Sequence, residues 1–256
     1  MDKSGNYKKY VIGRTFVKAT TYEAINTGRR RKAQGQTAPA QPMTAEELDM
    51  AYQYRQRAKV EHLLRLADVN FTAGKCVFVT LTFRENVTDY DTAVAEFKAF
   101  TKRLRRAFDS LRYIATVETQ QRGAYHFHAL VNVASLQDGL DFLLPCWHNG
   151  SADVKLVTDV KSTVLYMTKD FTKQNRSHPL FNRRCYFVSQ GLTKCAEVTS
   201  WNSDSAELDG VRAMLAGKVP NKQNKVNGTK AGETEYADFY FCTNAYTEPL
   251  VAQPKC

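Results

Sequence analysis

Gly123-Ala124-Tyr125-His126-Phe127-His128-Ala129-Leu130 sets two histidines around one bulky apolar residue inside a hydrophobic run. Side chains of an extended strand alternate faces, so His126 and His128 project to one side while Phe127 enters a core on the other. Two imidazoles on one rigid face make half of a metal site. Upstream, Tyr113 to Thr119 reads as another strand, joined to the first through Gln120-Gln121-Arg122-Gly123. A tight hairpin centred on Arg122, with Gly123 at positive φ, sets Glu118 directly across from His126. Two histidines and a carboxylate then converge.

The chain has 256 residues, of which 43% are hydrophobic, ample for a packed core in one large domain or in a domain with appendages. Its formal charge of +10 points to a polyanionic partner, because a positive field concentrates nucleic acid and sets up counterion release. The six cysteines, Cys76, Cys146, Cys185, Cys195, Cys242 and Cys256, form no Cys-x-x-Cys pair and no compact framework, which argues against zinc and a disulfide scaffold. Reduced thiols in a cytosol are the expectation. No run approaches the roughly 18–20 apolar residues of a membrane span, and no secretory apolar core opens the chain.

Residues 1–43 carry nine lysines and arginines, Lys3 to Lys32, against Asp2 and Glu23, and read as a basic arm and linker. Thr44-Ala45-Glu46-Glu47 is a capping-box pattern that opens a helix running through Leu66. Cys76 to Phe83 is rich in β-branched and aromatic residues and predicts a buried central strand. Helical spacing returns over Asp89 to Phe108, with Ala93, Phe97, Phe100, Leu104 and Phe108 on one side. Lys98, Lys102, Arg103, Arg105 and Arg106 fill the rest of that helix, and a solvated face explains them as well as DNA contact does. After the hairpin comes a short strand near Ala152 to Val157. The order of elements predicts an α+β fold, an antiparallel sheet with helices packed on it. The domain reading is an arm over 1–43, a main domain over 44–200, and an extension over 201–256 packed on the same domain. In that extension Asn221 to Gly232 reads as a polar loop and Ala237 to Thr243 as a strand.

From Asp159 or Ser162 to Gln174 the spacing is helical, and Val160, Val164, Met167 and Phe171 form an apolar stripe. Tyr166 and Lys169 fall on the opposite flank, with Asp170 and Lys173 as neighbours. A phenol on a polar flank, with an ammonium a turn further on, suits a nucleophile that attacks a phosphodiester; the lysine favours phenolate or offsets charge on the phosphate. A divalent cation held by Glu118, His126 and His128 would polarise a non-bridging phosphate oxygen while Tyr166 displaces the 3′ oxygen.

With these motifs the chain resembles single-tyrosine rolling-circle replication initiators of the HUH endonuclease superfamily, the Rep proteins of bacteriophages and small plasmids. Val77 to Phe83 resembles the first motif strand, Glu118 through Arg122-Gly123 to His126-Phe127-His128 the metal motif, and Tyr166-Met167-Thr168-Lys169 the Tyr-x-x-Lys motif. The flanks agree as well: Asn70-Phe71, Trp147 and Gly150, Arg183-Arg184, and Ser189-Gln190-Gly191-Leu192. The resemblance covers roughly residues 44–195. It implies an RRM/ferredoxin-like sheet forming an HUH endonuclease core, Mg²⁺ or Mn²⁺ as cofactor, and strand-specific nicking and joining of single-stranded or hairpin origin DNA through a 5′-phosphotyrosine on Tyr166. It further implies a host helicase and DNA polymerase as partners, in the cytoplasm of a bacterial host. Asp170 stands where many relatives carry a second aromatic, and no Gly-x-x-x-x-Gly-Lys-Ser/Thr loop for a fused helicase occurs.

Two rival readings remain. A relaxase or single-strand transposase of the same superfamily does the same cleavage, but relaxases place their tyrosine before the histidine motif, where this chain offers Tyr7 and Tyr10. A non-catalytic RRM-like nucleic-acid-binding protein would leave the histidines structural. His62, His148 and His178 each stand alone, and Arg122 at the hairpin tip reads as solvated.

Overall fold

The computed structural model describes residues 6–23, 43–133, 135–175, 177–201, 206–228 and 232–241. In chain order the elements are β1 (Asn6–Ile12), β2 (Phe16–Glu23), α1 (Ala45–Asn70), β3 (Val77–Phe83), α2 (Tyr90–Ala107), β4 (Tyr113–Thr119), β5 (Tyr125–Val131) and α3 (Leu136–Leu143). There follow β6 (Gly150–Leu156), α4 (Val160–Met167), β7 (Tyr186–Val188), β8 (Ala196–Trp201), α5 (Ala206–Leu215), β9 (Lys222–Gly228) and β10 (Gly232–Tyr240). They fall into two compact units, Met43–Lys194 and the combination of Met1–Pro42 with Cys195–Cys256.

The unit over Met43–Lys194 is an α+β layer structure consistent with an RRM/ferredoxin-like architecture. Its antiparallel sheet has the order β6-β3-β5-β4-β7, so β5 is central and β3 lies one strand from the edge. One sheet face is apolar along its length. Val77, Val79, Leu81, Val117, Phe127 and Ala129 point there and meet the stripe Ala93, Phe97, Phe100 and Leu104 of α2. Phe127 has no exposed surface and stacks on Phe97 with ring centroids 4.4 Å apart. Burying that side chain contributes about 2–3 kcal/mol and fixes which way β5 faces.

The other face is divided. Ile114 and Leu130 are buried under Leu63, Leu66, Val164 and Met167 of α1 and α4, while Glu118, His126 and His128 lie toward the opposite strand ends. Helix starts follow local chemistry. Thr44 and Glu47 form the reciprocal capping box of α1, Asp89 caps α2 through Thr92 N, and Asp159 caps α4 through Ser162 N. The chain approaches itself most closely at the head of β6, where a Cβ on Gly150 would come within 2.1 Å of the Thr82 carbonyl oxygen. Glycine is therefore required for β6 to lie against β3.

Three sequence expectations differ from the structure here. The tyrosine helix ends at Met167, not Gln174, because the Thr168 hydroxyl donates to the Val164 carbonyl at 2.8 Å and the chain then turns into a 3₁₀ segment over Phe171–Lys173. Val164, Met167 and Phe171 are nevertheless all buried, as their spacing required. The strand at Val77–Phe83 alternates buried with half-buried residues instead of being enclosed on both faces. Helix α3 and strand β7 were not anticipated, being short elements whose place is set by packing on the sheet.

The second unit corrects the reading of residues 1–43 as an arm and of 201–256 as an extension on the main domain. Asn6–Ile12 and Phe16–Glu23 form a hairpin in a sheet of order β8-β1-β2-β10-β9, built entirely from the two chain ends. Ile12, Val17 and Val211 of α5 form its core with Val198, Met214 and Phe239 packed against them. Counting charge over the segment hid this: Tyr10 and Ile12 share one face, and Lys9 on the other pairs with Glu197 at 2.8 Å. Strand β9 occupies most of the stretch read as a polar loop, since an edge strand takes its conformation from the ladder with β10. Residues 24–42 of the expected arm and the end of the strand expected over Ala237 to Thr243 lie outside the described residues. Among the described residues no helix is long and apolar enough to cross a membrane, and Cys76, Cys146, Cys185 and Cys195 are free thiols.

Candidate metal centre

The hairpin joining β4 and β5 has the register its sequence implied. Glu118 pairs with His126, Gly123 takes φ of 83°, and its N–H donates to the Gln120 carbonyl at 2.8 Å. Cross-strand pairing brings Glu118 Oε2 to 3.3 Å from His126 Nε2 and 3.4 Å from His128 Nε2, and the two Nε2 atoms stand 3.0 Å apart. Glu118 and His128 are buried and His126 half-buried. Among the described residues these three are the one group of histidine, cysteine or carboxylate side chains clustered this closely for a cation.

The donor set fits a small divalent ion. Two imidazoles that both turn Nε2 toward one buried carboxylate leave acceptors facing acceptors unless a proton or a cation stands among them. Octahedral ligands at about 2.1 Å from a metal are about 3.0 Å from one another, and tetrahedral ones at a similar bond length about 3.4 Å. The observed spacings span both values, so they accept a divalent cation without selecting one. Glu118 Oε1 and His126 Nδ1 are also buried with no hydrogen-bond partner among the described residues.

His128 is held from behind. Its Nδ1 lies 3.1 Å from the Thr80 hydroxyl on β3, and Phe78 stacks on its ring with centroids 5.3 Å apart. Neither residue was given a role by the sequence reading, although the alternation of Phe78, Thr80 and Thr82 along β3 placed them on the histidine face. Burial alone pushes the Glu118 carboxyl up, but hydrogen bonds from His126 and His128 and the charges of His128 and Lys169 outweigh it, holding the group at about 2. Glu118 is an anion at any working pH.

Tyr166 and Lys169 arrive from α4 and the turn after it. The Tyr166 ring, half-exposed, stands 5.7 Å from that of His128 and meets Phe78 edge-on at 5.8 Å. Lys169 Nζ lies 4.1 Å from the centre of the Tyr166 ring and 3.8 Å from Glu118 Oε2. Burial tends to lower the ammonium's pKa, yet Glu118, Tyr166 and Asp170 raise it on balance, so the lysine stays charged. Because α4 ends at Met167, Lys169 reaches the site from a turn in which its N–H bonds the Tyr166 carbonyl at 3.3 Å. All five residues singled out from sequence therefore meet around one pocket of the sheet.

The other residues considered lie elsewhere. His62 is 6.1 Å from the Tyr186 ring, His148 Nε2 is 3.0 Å from the Pro145 carbonyl, and His178 Nδ1 accepts from Leu180 N. Arg122 Nε donates to Gln120 Oε1, Asp170 pairs with Lys173, and Tyr7 and Tyr10 lie on β1 in the other unit.

Residues 76–175 match a family of replication-associated proteins, the ORF2 type. That segment runs from β3 through the turn after α4 and contains the whole cluster, so the match is consistent with membership of the HUH Rep superfamily over this part of the chain. No curated protein and no solved structure matches the chain.

Proposed function

We propose that this protein is a rolling-circle replication initiator that nicks one strand of origin DNA and later rejoins it through a tyrosine-linked intermediate. The observation that carries the reading is the convergence of Glu118, His126 and His128 beside Tyr166 and Lys169. Glu118, His126 and His128 would hold Mg²⁺ or Mn²⁺, which when bound supplies Lewis acidity toward a non-bridging oxygen of the scissile phosphate. Lys169, charged and lying over the phenol, favours the phenolate of Tyr166. The phenol oxygen attacks phosphorus, the bond from phosphorus to the 3′ oxygen breaks, and that oxygen leaves as the 3′ hydroxyl with a proton from solvent. Tyr166 then carries the 5′ phosphate. Attack by a second 3′ hydroxyl reverses the chemistry and joins the strands. The partners implied are single-stranded or hairpin origin DNA and a separate helicase and polymerase, in a bacterial cytoplasm.

The test is to incubate the protein with single-stranded origin candidates and Mn²⁺ and to look for a covalent protein–DNA band in denaturing gels. The expected result is a band that disappears with chelator and with Tyr166→Phe, while DNA binding survives. A full-strength adduct from Tyr166→Phe, or cleavage indifferent to both His126→Ala and His128→Ala, overturns the proposal.

A further inference from the structure

Helix α2 packs on the sheet face opposite the metal cluster, since its partners Val79, Val117 and Phe127 alternate with Thr80, Glu118, His126 and His128 along their strands. Its outer side is a groove of about 470 Å³ lined by Lys98, Thr101, Lys102, Arg105, Arg106 and Tyr113. The four cationic side chains are exposed, and among the described residues none of them stands in an ion pair. The two acids of α2 are engaged elsewhere: Glu96 accepts from Asn149 and Asp91 faces Arg183.

A solvated basic face normally carries acids one turn away, as in the pairs Arg65–Glu61 and Arg212–Asp209 of this chain. Here the spacing is like to like. Lys98, Lys102 and Arg106 follow one another at four-residue intervals with Arg105 beside them, an arrangement that destabilises the helix until an anion neutralises it. The floor is rigid, because Tyr113 is buried against Phe97 and the Thr101 hydroxyl bonds the Lys98 carbonyl. Two guanidinium forks and two ammonium groups over such a floor match successive phosphates rather than one small anion.

We infer that the α2 groove is a second nucleic-acid contact, which grips the phosphate backbone of DNA flanking the site of cleavage, on the side of the sheet away from the metal. The flanking DNA would wrap past an edge of the sheet, and the groove would add affinity without touching the scissile phosphate. This contact is independent of the cleavage reading, because binding is measured without chemistry.

The test is fluorescence anisotropy of the full chain with a labelled single-stranded 30-mer, in chelator, over a series of NaCl concentrations. The variant combines Lys98→Gln, Lys102→Gln, Arg105→Gln and Arg106→Gln, glutamine being a good helix former. Each lost phosphate contact removes about 0.7 from the slope of log K against log salt, so three or four contacts flatten it by about 2–3 and weaken binding about tenfold or more at 0.1 M. Two comparisons separate contact from net charge. Neutralising Lys75, Lys194, Lys218 and Lys222 should leave the slope within about 1 of the parent. Exchanging lysine for arginine and arginine for lysine at the four groove positions should retain binding. An unchanged slope in the groove variant, or an equal loss in the charge-matched control, overturns the proposal, and so does DNA binding that is unaffected while an acidic polypeptide loses its grip. A chain that shows the slope change yet never forms an adduct keeps the groove and loses only the nickase reading.

Discussion

The Thr80 hydroxyl stands 3.1 Å from Nδ1 of His128, on the side of the imidazole away from Glu118. With Nε2 committed to the cluster, Nδ1 carries the proton and donates to Thr80, which fixes both tautomer and ring orientation. Thr80→Val keeps the shape and removes the acceptor. The expected outcome is a loss of Mn²⁺ affinity of about 10-fold in isothermal titration, with Thr80→Ser close to the parent. Equal affinity for parent and Thr80→Val would show that Phe78 packing alone orients the ring.

Glu118 carries a pH signature. Its folded pKa of about 2 lies below the ordinary 4.5, so its contribution to stability is complete above 4.5 and is lost as pH falls from there toward 2. In chelator-treated protein, urea unfolding at pH 6 and pH 3 should show the parent losing on the order of 1–2 kcal/mol more than Glu118→Gln over that interval. Parallel losses in the two proteins would contradict the assignment.

Lys169 is expected to act on rate more than on binding. Lys169→Met should slow adduct formation about 10- to 100-fold at saturating oligonucleotide, with little change in the concentration that gives half the maximal rate. Lys169→Arg should recover part of the rate. A change in half-saturation alone would assign the lysine to binding.

The orientation of β5 rests on Phe127. Phe127→Ala removes a ring stacked on Phe97 in a site without exposed surface, and should cost about 3–5 kcal/mol in denaturant unfolding. Mn²⁺ affinity should fall with stability, since the histidines are held by the same strand. Phe127→Leu, which fills most of the volume, should retain both to a larger degree.

Local rules carried the site unit far. The capping box at Thr44, the cap at Asp89, the alternation over Tyr125–Val131 and the positive φ of Gly123 are properties of neighbouring residues, and each appears in the structure where the sequence put it. The hairpin is the strongest case, because so short a connection leaves one register that buries Phe127, and that register pairs Glu118 with His126. The same reasoning failed on the second unit. Its sheet joins residues 6–23 to residues 196–240, and no local period announces a partner at the far end of the chain.

By itself, then, the sequence determined which faces the histidines, the carboxylate and the tyrosine occupy, because strand and helix periods depend only on backbone geometry. What the tertiary structure alone decided is that β3 brings Thr80 behind His128, that Thr168 ends α4 and swings Lys169 over Tyr166 toward Glu118, and that the chain ends pair into a sheet of their own. These arrangements come from packing and hydrogen bonds between segments distant along the chain, or from the point at which a helix stops against a filled core. Their free energy belongs to the assembled structure and to no single stretch of it.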